Sequence, residues 1–178
     1  GFIGWHLINS IKHIHSNSFD IIPFEKSYFK DKIKLSTFIK KCNIIVHLAG
    51  VNRMESDQEV YEENKSLNIV FEEAIKIAKF KGHLIFASSI QEKGKSLYGK
   101  SKKETRILLE KCITNQGGIF TGIIIPNVFG PFSKPNYNSF IATFCSKIMR
   151  NEKPTIYDDD KVPLIFVGNL VNRILNFM

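Results

Sequence analysis

Short apolar runs alternate with stretches of helical periodicity along this chain, and that alternation constrains the fold more than any other feature of the sequence. Residues 44–48 (Ile-Ile-Val-His-Leu) and 84–87 (Leu-Ile-Phe-Ala) suit buried strands, and residues 20–24 and 122–125 suit two more. Between the runs, Leu67, Val70, Phe71, Ala74, Ile75 and Ala78 recur at the spacing of one helix face. Further helices are expected over residues 4–15, 35–41, 101–113 and 139–150, with a break at Gly117-Gly118 and a last helix closing at Met178. Strand and helix in alternation are the mark of a parallel α/β sheet, so the fold class expected is α/β.

With 178 residues, 43% of them hydrophobic, the chain can bury one sizeable core, and a single domain over residues 1–178 is expected. No apolar run reaches the roughly 18 residues of a membrane span, and no signal-peptide pattern opens the chain, so a cytoplasmic protein away from membranes is expected. Cys42, Cys112 and Cys145 are odd in number and far apart, which argues against both disulfides and a zinc cluster, so no metal is expected. The formal charge of +8 comes from lysines spread from Lys26 to Lys161 without an aromatic-interleaved basic motif. Nucleic acid is therefore not an expected partner, whereas an anionic small ligand would benefit from the field.

The chain opens on Gly1-Phe2-Ile3-Gly4 with no strand before it. A dinucleotide fold needs glycines where the backbone turns, approaches a pyrophosphate and packs a helix on the sheet. Gly1 and Gly4 match the last two of those uses, and an ordinary turn is the alternative. The run at residues 44–48 delivers Leu48, Ala49 and Gly50 to the carboxyl edge of the sheet, where small residues leave room for a cofactor. His47 beside them is expected to be structural. At the end of the second strand an acid favours NAD and a base favours NADP; Glu25 and Lys26 stand side by side there and leave the choice open.

Tyr98-Gly99-Lys100-Ser101-Lys102 contains Y-x-x-x-K, and the i, i+4 spacing puts Tyr98 and Lys102 on one helix face. A phenol titrates near ~10, and a neighbouring ammonium favours its phenolate, so Lys102 is expected to lower the pKa of Tyr98.

These segments together resemble the extended short-chain dehydrogenases/reductases of the NAD-dependent epimerase/dehydratase family. Residues 46–53 (V-H-L-A-G-V-N-R), 88–91 (S-S-I-Q), 98–102 (Y-G-K-S-K), 126–131 (P-N-V-F-G-P) and 134–145 (K-P-N-Y-N-S-F-I-A-T-F-C) carry the resemblance, in the family's order. The resemblance extends to bacterial capsule and O-antigen enzymes that reduce a UDP-linked 4-keto-6-deoxy-N-acetylhexosamine. The resemblance implies a Rossmann-like, doubly wound parallel sheet, here expected to lack its first strand and its C-terminal part. It implies a catalytic set of Ser89, Tyr98 and Lys102, with Ser89 on the substrate oxygen, and Tyr98 and Lys102 also among the cofactor-binding residues, Lys102 on the ribose. Asn64 and Pro126 join the cofactor residues, a helix cap or turn being the other reading of Asn64. Arg53, Asn127, Asn136, Tyr137 and Asn138 would line the sugar-nucleotide site, a polar surface loop being the plain alternative. The cofactor implied is NADP(H), with NAD(H) possible. The partners implied are a UDP-sugar and, in the full-length protein, a second copy of the chain. An NAD-dependent epimerase or dehydratase, for which Gln91-Glu92 offers an acid–base candidate, and a noncatalytic dinucleotide-binding relative remain alternatives. Ile124 in place of an Arg, and Val167-Gly168-Asn169 in place of V-D-D, depart from the family pattern.

Overall fold

Four short polar side chains set where helices of this chain begin. Asp31 accepts from the backbone N–H groups of Ile33 and Lys34, Ser56 from Glu59, Ser96 from Gly99 and Ser139 from Ala142. Each satisfies donors that the first helical turn leaves without an intrahelical partner. The computed structural model describes residues 1–15, 18–156 and 161–178. In order these form α1 (Phe2–Ile14), a 3-10 turn (Lys26–Lys30), α2 (Lys32–Ile39), β1 (Ile44–His47), α3 (Asp57–Ala78) and β2 (His83–Ser89). A second 3-10 turn (Ile90–Lys93), α4 (Leu97–Asn115), β3 (Ile119–Ile125), β4 (Asn127–Phe129), α5 (Phe140–Met149), β5 (Leu164–Phe166) and α6 (Val167–Leu175) complete the chain. Among the described residues no helix is long and apolar enough to cross a membrane.

The architecture is α/β and Rossmann-like, and the described residues group into two compact units. The larger runs over Asp20–Ile124 with Phe177–Met178. Its sheet has the order β1-β2-β3, with β1 and β2 parallel and Ile44, Ile45, Val46 and His47 opposite His83, Leu84, Ile85 and Phe86. Parallel strands need a crossover, which α3 supplies between β1 and β2. Helix α3 packs between α2 and α4, and Leu35, Ile39, Phe71, Ala74, Ile75, Leu84, Phe86, Leu109 and Ile113 form the core beneath them. Gly82 permits the close entry of β2: a Cβ there would stand 2.2 Å from the carbonyl oxygen of Asn43.

The smaller unit joins Gly1–Phe19 to Ile125–Asn176. In it α1 packs on α6 through Leu7, Ile11, Leu170, Val171 and Ile174, and β4 pairs in parallel with β5.

Residues 20–24 are not a strand, against expectation. Pro23 has no N–H to give a ladder, and among the described residues no strand pairs with the segment. Phe24 instead joins an aromatic cluster with Tyr28, Phe29 and Phe38. Helix α4 starts four residues before the expected 101, because Ser96 caps it.

Candidate active site

The larger unit gathers its polar residues where β1 and β2 end. After β1 the chain runs through Leu48 and Ala49 to Gly50, whose φ of +157° is one that side-chain-bearing residues rarely adopt. A Cβ on Gly50 would lie 3.2 Å from Asn64 Oδ1 and 3.4 Å from Lys102 Nζ. Three segments far apart in sequence thus converge on one bare stretch of backbone.

Lys102 is the unusual member. Its residue exposure is 6%, its ammonium sits 4.8 Å from the centroid of the Phe86 ring, and among the described residues no carboxylate pairs with it. Burial disfavours the charged form and pulls its pKa down from 10.5 to about 8.

Asn64 lies well inside α3 and caps nothing. It grips the loop after β1 by both sides of one residue, since Val51 N–H donates to Oδ1 at 2.8 Å and Nδ2 donates to the Val51 carbonyl at 2.6 Å. Nδ2 also reaches the carbonyl of Val60 at 2.9 Å. Its amide is therefore engaged with the protein, and its effect on a ligand at Gly50 passes through the backbone it holds.

Tyr98 is the second residue of α4, one turn before Lys102 on the same face. Its phenol is shifted upward, and burial alone is the cause. The expected lowering by Lys102 is absent in the free protein, because the ammonium is turned to the Phe86 ring and Gly50 while desolvation acts directly on the phenol. Gly99 between them is dictated by packing. A Cβ there would come within 2.0 Å of the Gln91 carbonyl oxygen, so the 3-10 turn after β2 lies directly on the first turn of α4.

Ser89 closes β2, and its hydroxyl accepts from Gln91 N–H at 3.2 Å as the cap of that turn. Ser88, buried, donates to Glu92 Oε2 at 2.8 Å, and Arg106 Nε donates to the same oxygen at 3.1 Å. Glu92, the dehydratase candidate, is thus held in a buried ion pair. Arg53 is exposed on the irregular loop before α3, and Lys26 is exposed at the head of its 3-10 turn.

The remaining expected residues lie in the smaller unit. Gly1 caps α1 and Gly4 sits in its first turn; Pro126 precedes β4 and Asn127 opens it. Asn136 has a left-handed φ of 55° and its N–H donates to Thr143 Oγ1 at 2.9 Å, while Tyr137 lies under the Lys134 ammonium and Asn138 is exposed. Sequence reasoning did not single out Asn68, Glu92 as a structural anchor, or the Phe86 ring. Asn68 had a signal, standing one helical turn after Asn64.

Comparison with known proteins gives the family and the fold. A UDP-2-acetamido-2,6-beta-L-arabino-hexul-4-ose reductase from Pseudomonas aeruginosa is 30% identical over 179 residues, covering all of this chain and 47% of the relative. The chain thus spans about half the length of that curated relative. The crystal structure of the capsular polysaccharide assembling protein CapF from Staphylococcus aureus superposes with a TM-score of 0.74 at 30% identity, over 99% of this chain and 47% of that one. A UDP-glucose 4-epimerase from Thermotoga maritima shares the fold, with a TM-score of 0.81 at 20% identity over 100% of this chain and 70% of that one. The family model for the NAD dependent epimerase/dehydratase family matches residues 1–178, and the chain belongs to that family.

Proposed function

We propose that this chain carries the nicotinamide-binding and proton-donating side of an NADP(H)-dependent reductase of a UDP-linked 4-keto-6-deoxy-N-acetylhexosamine, working in capsule or O-antigen sugar synthesis. The observation that carries the reading is the buried Lys102 ammonium, without a carboxylate partner among the described residues, beside the bare backbone of Gly50 and on the same helix face as Tyr98. A buried cation with no carboxylate beside it among the described residues suits a bound ligand rich in oxygen.

A dinucleotide fits these residues, because Gly50 leaves its backbone bare where Lys102 Nζ lies 3.4 Å from the position a Cβ would take. Bound as the reduced nicotinamide, it supplies hydride to C4 of the keto sugar. Tyr98 gives its proton to the oxygen at C4, so that the carbonyl becomes an alcohol. Its raised pKa keeps the phenol protonated at neutral pH, the form a proton donor needs. Lys102 holds a ribose hydroxyl and stabilises the phenolate left behind. Ser89 donates to the same sugar oxygen. Lys26 supports the extra phosphate of NADP, since it is exposed while Glu25 next to it accepts from Ser27 Oγ at 3.2 Å. The curated relative, named as a reductase of a UDP-linked 4-ketohexosamine derivative, supports reduction over epimerisation.

The test is to supply the full-length protein with NADPH and the UDP-4-keto sugar and follow loss of reduced-nicotinamide absorbance. Tyr98→Phe is expected to lower kcat by about 10²–10⁴-fold, the range for removing a general acid, with NADPH affinity unchanged. Turnover that survives the substitution would remove Tyr98 as the acid.

A further inference from the structure

His47 and Asn68 have no part in the chemistry above, yet both are polar and buried, at 4% and 3% exposure. Buried polar atoms are tolerated when each has a partner, and here the partners form one chain. Asn68 Nδ2 donates to the carbonyl of Asn64 at 2.6 Å, one turn earlier on α3, which leaves Asn68 Oδ1 as the acceptor facing His47 Nε2 at 2.9 Å. His47 therefore carries its proton on Nε2 and is neutral; burial pushes its pKa down to about 3, and the Lys102 ammonium acts in the same direction. The imidazole is wedged by aromatic rings, with Phe71 at 4.4 Å and Phe86 at 5.6 Å between centroids. The Phe86 ring is the one that carries the Lys102 ammonium. At the other end of the chain, Asn64 holds Val51 by its N–H and its carbonyl.

We infer that His47 and Asn68 are positioning residues of the dinucleotide site, locking the last residue of β1 to helix α3 so that Asn64 meets Val51 in the register that turns the bare side of Gly50 toward Lys102. This rests on Gly50 and Lys102 facing the cofactor, as proposed above. The loop of residues 48–56 has no regular structure, so its course past the ligand depends on such side-chain anchors. Phe71, Ala74 and Ile75 of α3 and Ile45 of β1 otherwise share the apolar core, and apolar packing fixes distance well and register along the strand poorly. A directional link from His47 through Asn68 to Asn64 fixes the register.

The experiment uses the full-length protein with Asn68→Leu, His47→Phe and the double variant, NADPH being the probe. His47→Phe keeps a ring between Phe71 and Phe86 and removes the donor, so it tests the link even where Asn68→Leu fails to fold. At a temperature where circular dichroism shows each variant fully folded, each single change is expected to weaken NADPH binding about tenfold, the size of one lost hydrogen bond. The double variant is expected to be no weaker than the worse single, since the links act in series. His47→Gln, whose amide can donate in place of Nε2–H, is expected to recover part of the loss. Exchange of the Val51 amide hydrogen is expected to quicken in each variant without any cofactor present. Parent-like NADPH affinity in folded variants, additive losses, or unchanged Val51 exchange would each overturn the inference. A parent that binds neither NADPH nor NADH would instead overturn the functional reading, and Val51 exchange would still decide whether the relay holds the loop.

Discussion

Replacing Lys102 by Met should make the protein more stable at neutral pH, although it removes a residue proposed to be catalytic. The buried ammonium titrates near 8 in place of 10.5. At 1.36 kcal/mol per pKa unit, that displacement corresponds to roughly 3 kcal/mol of unfavourable burial. The cation–π contact with Phe86 returns about 1–2 kcal/mol of it, so the net gain expected from the substitution at pH 7 is about 1–2 kcal/mol. Methionine keeps most of the stem's volume and brings no charge, so no cavity term opposes the gain. The sign with pH follows from proton counting. Below pH 8 the lysine is protonated in both folded and unfolded chains, and its cost is constant and complete. Between pH 8 and 10.5 the unfolded chain holds more protons than the folded one, so the parent gains stability as pH rises and the gap to Lys102→Met closes. The assay is urea denaturation of parent and variant side by side at pH 7 and at pH 9.5, where subtraction cancels the other titrating groups. A variant less stable than its parent at pH 7, by an amount that does not change with pH, would refute the reasoning.

Gly99→Ala should cost about 2 kcal/mol or more, because its Cβ would stand 2.0 Å from a backbone oxygen and 2.5 Å from the attached carbon, with no flexible side chain to yield. Thermal melting reads the loss, and kcat should fall further than the melting temperature implies, since the same turn carries Tyr98. Glu92→Ala should cost about 3 kcal/mol by stranding Arg106 and Ser88 around an emptied acceptor. An unchanged melting temperature would show that the ion pair holds nothing in place.

Much of the sheet was legible because a parallel strand with helices packed on its faces is apolar on both sides. Residues 44–48 and 84–87 announce β1 and β2 with almost no polar residue. Strands β4 and β5 were not legible, since each has three residues and exists only through pairing with a partner some 35 positions away. The segment at residues 20–24 misled for the converse reason: Ile21, Ile22 and Phe24 have strand composition, but composition does not supply a neighbour to pair with. Helix α4 hid its first turn behind Tyr98-Gly99-Lys100, where tertiary contact and the Ser96 cap outweigh weak helical preference. At the site, spacing alone aligned Tyr98 with Lys102. It could not show where the ammonium points, because Phe86 and Gly50 set that from two other segments.

The features that cost stability fall together in the larger unit. Gly50 adopts a backbone conformation that forgoes a side chain, Lys102 buries a charge without a carboxylate among the described residues, and Tyr98 keeps its phenol partly out of water with burial as the only influence on its pKa. Around them the polar groups are satisfied: Asn64, Asn68, His47, Ser88, Glu92 and Arg106 all have partners at hydrogen-bond distance. A fold that satisfies the surrounding groups and buries the Lys102 charge beside a bare backbone has placed its unfavourable term where a ligand can relieve it. An oxygen-rich ligand laid along Gly50 would bring negative charge to the ammonium. The free energy spent holding the site open then returns as affinity, which is why the stability gained by Lys102→Met and the binding it loses should have one origin.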